Sequence, residues 1–160
     1  MSRRAEALAD RVEQGAQALA VFAESLSDAE WRMTVPKDGR PVGVIVHHVA
    51  SVYPIEIQLA QTLAGGKPVT GVTWDGVDHM NAEHAHKNGT AGKPETLALL
   101  RRNGKAAADA VRAFSDEQLD AAAPVSLNAE APLTAQFIVE DHALRHSYHH
   151  LARIRAAVGR

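Results

Sequence analysis

The sequence predicts an all-α protein, an antiparallel four-helix bundle with one extra short connecting helix. Three observations point there. Apolar residues recur at helical spacing in four long segments, and no stretch shows the alternation of a half-buried strand. Two capping-box sequences also repeat: LSDAEWRMTVP at 26–36 and FSDEQLDAAAP at 114–124 match in type and spacing, each between two long segments. That internal repeat predicts two similar helical hairpins.

The first helix spans residues 3 to about 25, where Leu8, Val12, Leu19 and Phe22 mark one face. Ser27-Asp-Ala-Glu30 then opens a short turn of helix around Trp31, before the breaker run Pro36-Lys-Asp-Gly39. The second long helix begins near Pro41, since proline suits a first turn, and ends at about Ala64 before Gly65-Gly66. Pro54 inside it predicts a kink. A shorter amphipathic helix fits residues 73–88, with Asn88-Gly89 as its stop, and Trp74 reads as a packing anchor. The third long helix runs from Pro94 to about Phe114, and the fourth from about Pro132 to Val158.

At 160 residues and 46% hydrophobic content the chain reads as one domain, 1–160, large enough to bury roughly 70% of its unfolded surface. A formal charge of -2 with 17 Lys and Arg gives no basic footprint for nucleic acid. No run approaches the 18 or so apolar residues of a membrane span, and the charged start MSRRAEALADRVEQ lacks an apolar signal region, so a cytoplasmic protein is expected. Asn88-Gly-Thr90 is therefore read as a loop. There is no cysteine, which excludes a disulfide framework and a thiolate metal site.

Histidine carries the chemistry. Four of nine lie at 142, 146, 149 and 150 on the last helix. Residues i and i+4 lie about 40° apart on a helix, so His146 and His150 can address one ion. On the second long helix, Val44, Ile45, Val52, Ile55, Leu59 and Leu63 fall within about 60° of His48, which places it on the buried stripe. His47 lies about 100° away and His149 points away from the apolar stripe of its own helix. His142, one turn before His146, is left as a ligand, a supporting group or a surface residue. A lone helical histidine is usually a surface or hydrogen-bonded group; the combination of a buried one with an i,i+4 pair on a facing helix is what points to metal.

With these residues in view, the chain resembles the DinB-like family of four-helix bundles, which includes the YfiT-type proteins and the bacillithiol and mycothiol S-transferases. The likeness covers most of the chain. It lies in Val46-His47-His48-Val49-Ala50 and in His146-Ser-Tyr-His149-His150-Leu-Ala-Arg-Ile-Arg155, and it implies His48, His146 and His150 as a metal triad. Many members continue with Arg-Gly-Gln after the last histidine, where this chain has Leu151-Ala-Arg153.

Three neutral imidazoles leave a coordination position open, the mark of a catalytic site. Zinc is the commonest ion for such a set, and nickel or iron also suits it. The expected activity is activation of water or of a low-molecular-weight thiol cosubstrate for transfer to a small electrophilic substrate. The opposing expectation is a non-catalytic, metal-stabilised, stress-related bundle or homodimer. On the 73–88 helix, Val77, Met80, Asn81, His84 and Asn88 cluster within about 80°, so Asn81 is expected to bind substrate and His84 to move a proton. The competing expectation is that these residues cap and solvate a linker helix. Glu56, Asp78 and Glu83 are further proton-transfer candidates without an assigned role.

Overall fold

Ser2 caps the first helix, α1 (Arg3–Glu24), by accepting the Ala5 N–H, in a computed structural model that describes residues 2–160. Both capping boxes form. Ser27 and Glu30 satisfy each other's backbone N–H groups at the start of α2 (Asp28–Arg32), and Ser115 and Gln118 do the same at α6 (Asp116–Asp120). Between them lie α3 (Val42–Ala64), α4 (Trp74–Lys87) and α5 (Lys93–Arg112).

After α6 the structure departs from the expected last helix. A short antiparallel hairpin intervenes, β1 (Ala122–Val125) with β2 (Ala131–Thr134), joined through a 3₁₀ turn at Ser126–Asn128. Four residues are too few to show alternation, and Pro124 pairs directly with Pro132, so the sequence hides the strands. Pro132 thus lies in β2, and the helix begins at Ala135 with Thr134 as its cap. It runs as α7 (Ala135–Ile138), a π-helical turn (Val139–Leu144) and α8 (Arg145–Val158).

The internal repeat extends into the backbone bonds. Val42 N–H reaches Met33 O after the first capping box, and Ala135 N–H reaches Ala121 O after the second. The halves are not packed hairpins, however. α1 packs on α5 and α8, while α3 packs on α5 and on α7 and α8, so the two long helices of each half lie across the bundle from one another. Ion pairs give the directions. Arg112 near the end of α5 joins Glu6, Asp10 and Glu13 near the start of α1, and Arg101 joins Glu24, so these two are antiparallel. Arg11 pairs with Glu140, and the Arg155 guanidinium lies over the Phe22 ring, so α1 and α8 run together. Close approach is made possible by small residues: a side chain at Gly104 would meet Ala16, and one at Gly15 would meet Ser147 and Tyr148.

By mean hydropathy, α3 is long and apolar enough to cross a membrane, which the sequence reading did not anticipate. It is the core helix of the bundle, with 67% of its most apolar stretch buried. Pro54 does not interrupt it. The missing proline N–H leaves Ala50 O without its helical donor, and Asn103 of α5 supplies one from its side chain at 2.8 Å.

This substitution of partner is testable. Asn103→Ala should lower stability by about 1–2 kcal/mol in urea unfolding, since it strands a buried carbonyl. In a Pro54→Ala background, where residue 54 regains its N–H, the same change should cost under about 0.5 kcal/mol. Equal costs in both backgrounds would show that Asn103 serves another purpose.

Candidate functional site

The chemistry gathers where α3 faces α8. His48, His146 and His150 each offer a ring nitrogen, and these atoms lie within 4.8 Å of one another. His48 and His150 are buried and His146 is partly buried. His146 and His150 are one helical turn apart with ring centroids at 4.8 Å, and His48 reaches them from the apolar stripe of α3 at 5.0 and 5.8 Å. His47 and His149 stay outside the trio, as their wheel positions require.

Glu56 completes the arrangement. It is buried, and its Oε1 accepts a hydrogen bond from His146 Nδ1 at 2.8 Å, which leaves Nε2 of the neutral ring as a lone-pair donor. Its Oε2 is buried without a partner. Sequence reasoning named Glu56 but gave it no role, because charged residues on helices usually face water. The missed signal was its position: eight residues after His48, it lies only about 80° round the wheel from a buried group. A second carboxylate was missed altogether. Asp38, in the loop before α3, holds Arg40 through two bonds at 2.6 and 3.0 Å, and this pair influences the electrostatics of His48 and His150.

Burial lowers the pKa of His48 to about 3, helped by His146 and Arg40, and that of His150 to about 2, helped by His146 and His48. Both are therefore neutral at pH 7, the state that ligates metal. Nδ1 of each is buried without a hydrogen-bond partner. Unpartnered buried imidazoles are costly unless something else satisfies them, and an all-nitrogen set backed by a carboxylate fits a divalent ion of the zinc class.

α4 carries both remaining candidates, and only Asn81 reaches the cavity beside the cluster. His84 Nε2 lies 2.8 Å from His47 Nδ1, and its ring stands 5.5 Å from that of His48. Burial, then His47, lowers the His84 pKa. Asn81 lines a cavity of about 480 Å³ that opens beside His48, His146 and Glu56, with Val52, Ile55, Leu59, Val77 and Leu127 among the apolar residues of its wall. The hairpin thus has a function in building the wall. Ile55 departs from the expected stripe, being 42% exposed, because its side of α3 faces this cavity rather than the core. Trp74 is not a packing anchor: it is 60% exposed at the cavity, held by its indole N–H to Leu127 O. His142, placed by the π-helical turn, also lines the cavity.

The family model of the DinB superfamily matches residues 11–154. No curated protein matches the chain by sequence. A solved structure described as YfiT from Bacillus subtilis, a probable metal-dependent hydrolase with an unusual four-helix bundle topology, aligns over 99% of this chain and 89% of its own with a TM-score of 0.78. The two are 18% identical, so the likeness is one of fold.

The buried neutral pair predicts how the metal-free protein responds to acid. Unfolded chains protonate histidine below about pH 6.5, whereas folded His48 and His150 stay neutral well below that, so the unfolded state binds more protons and stability falls as pH drops from about 6.5. At pH 5 the loss is about 2 kcal/mol per histidine. Urea unfolding at pH 7.5 and 5 should show a markedly smaller loss in the His48→Gln, His150→Gln double variant. An unchanged pH dependence would mean that the two are not held neutral.

Proposed function

The chain belongs to the DinB superfamily, and from that premise we propose that it is a metal-dependent enzyme acting on a small electrophilic substrate. The observation that carries this reading is the convergence of His48, His146 and His150, the first and last with unpartnered buried nitrogens, at the edge of a cavity of about 480 Å³. Structural metal sites are closed by their ligands; a three-imidazole set beside a cavity is open. A divalent ion held there, zinc in the first instance and nickel or iron otherwise, supplies Lewis-acid polarisation of a water or thiol nucleophile.

The chain's own residues do the rest. Glu56, which lines the cavity, fixes the orientation of His146 with one oxygen and keeps the other buried and unpaired, a proton acceptor within the site. Asn81 orients substrate from the cavity wall. His84, hydrogen-bonded to His47, passes a proton away from the site. The apolar walls limit water around the reacting groups. A thiol nucleophile has to come from a cosubstrate, since the chain has no cysteine.

Metal analysis of protein purified without a tag should find about one divalent ion per chain. Alanine at His48, His146 or His150 should abolish tight binding, and alanine at His47 or His149 should not. Metal retained in a His48→Ala, His150→Ala double variant would overturn the ligand set. Glu56→Gln should weaken binding about 10- to 100-fold.

Turnover tests the activity itself, using a simple thiol and a generic electrophile or ester, with and without metal. Asn81→Ala and His84→Ala should keep the metal and lose at least tenfold in rate, or about 1.4 kcal/mol of transition-state stabilisation. Full metal occupancy with no turnover of either pair would return the chain to the non-catalytic bundle.

A further inference from the structure

We infer that the cavity beside the imidazole cluster takes a small molecule with an apolar aromatic or branched body and one anionic end group, the body against Trp74 and the anion on Arg145. This rests on reading the cavity as a substrate site. It does not depend on which ion the histidines hold.

The apolar half of the argument comes from misplaced hydrophobic surface. Seven large hydrophobic side chains among the described residues are exposed, and three of them, Ile55, Trp74 and Met80, line this one cavity. Clustered exposure of that kind marks a surface that something covers. The Trp74 indole N–H is already used by Leu127 O, so what the ring still offers is a π face. That face suits an aryl or branched alkyl group.

The anionic half comes from Arg145. Its Nε donates to both the backbone oxygen and the carboxylate of Asp141, at 3.1 and 3.0 Å, which ties the exposed guanidinium to its own helix. Among the described residues its two terminal nitrogens have no hydrogen-bond partner, and Arg145 lines the cavity. Asp141 occupies the Nε side, so it aims the fork without covering it. A planar fork with both terminal nitrogens free is the group that recognises a carboxylate or a similar anion.

Two dyes that share a body and differ in charge separate the contributions: anilinonaphthalene sulfonate and its uncharged parent N-phenylnaphthylamine, titrated by fluorescence into the full chain. One site per chain is expected, with the anion bound about tenfold more tightly, a difference of about 1.4 kcal/mol. Arg145→Gln should bring the two affinities together, and Trp74→Ala should weaken both. Equal affinities in the unaltered chain, or an anion preference that survives Arg145→Gln, would overturn the inference. Metal content measured on the same samples reports separately on the ligand set: anion preference in a chain that takes up no metal leaves this inference standing while the metal reading falls.

Discussion

The hydrogen bond between His146 and Glu56 joins α8 to α3 at the place where the bundle buries imidazole and carboxylate together. Most of the architecture around it serves to make that meeting possible. Because the long helices of each half lie across the bundle, α3 becomes the neighbour of α8 and not of α1. Gly15 lets α1 sit close against Ser147 and Tyr148, pressing on the opposite side of α8 from the site. Asn103 meanwhile repairs the backbone of α3 between His48 and Glu56, where Pro54 would otherwise leave a buried carbonyl unpaired. A polar centre in an apolar bundle is tolerable only when its members are satisfied, and here the remaining unsatisfied atoms point to a ligand.

Local signals made much of this legible in the sequence. Capping boxes, Gly and Asn stops and 3.6-residue periodicity depend on a few neighbouring residues, so α2, the capping box that opens α6 and the ends of α1, α3, α4 and α5 could be placed without tertiary knowledge. His48, His146 and His150 were also legible as inward-facing groups, because a wheel position and an i,i+4 pair are properties of single helices, and the family resemblance joined them into one set. What could not be read were features that exist only between segments. The hairpin consists of two four-residue strands, each with a proline, and its identity lies in the pairing alone. The diagonal placement of the half-repeats has no counterpart in either half by itself. Glu56 and Asp38 look like solvated charges until the partner that buries each is known.

The cavity and the imidazole cluster are built by different means. The cluster uses the rigid interior of the bundle, where His48 and His150 are packed from several sides. The cavity wall uses peripheral pieces: α4, which has no fully buried residue, the 3₁₀ turn of the hairpin and the π-helical turn. π-helical turns absorb a residue that a regular helix cannot, and this one places Asp141 and His142 at the cavity while α8 continues to carry His146 and His150. Deeply packed imidazoles therefore sit beneath a wall assembled from short peripheral elements.

The distribution of the three imidazoles over the two halves has a consequence for how the protein is made. His48 leaves the ribosome 98 residues before His146, an interval of about 5–20 s at ordinary rates of synthesis. During that time the first half has at most one of the three nitrogens and no carboxylate-oriented partner for it. An ion cannot organise the nascent first half through this site, so capping, helix formation and apolar collapse must act there unaided. Any ion taken up by the three histidines would arrive late, reporting the docking of α8 against α3 rather than directing it.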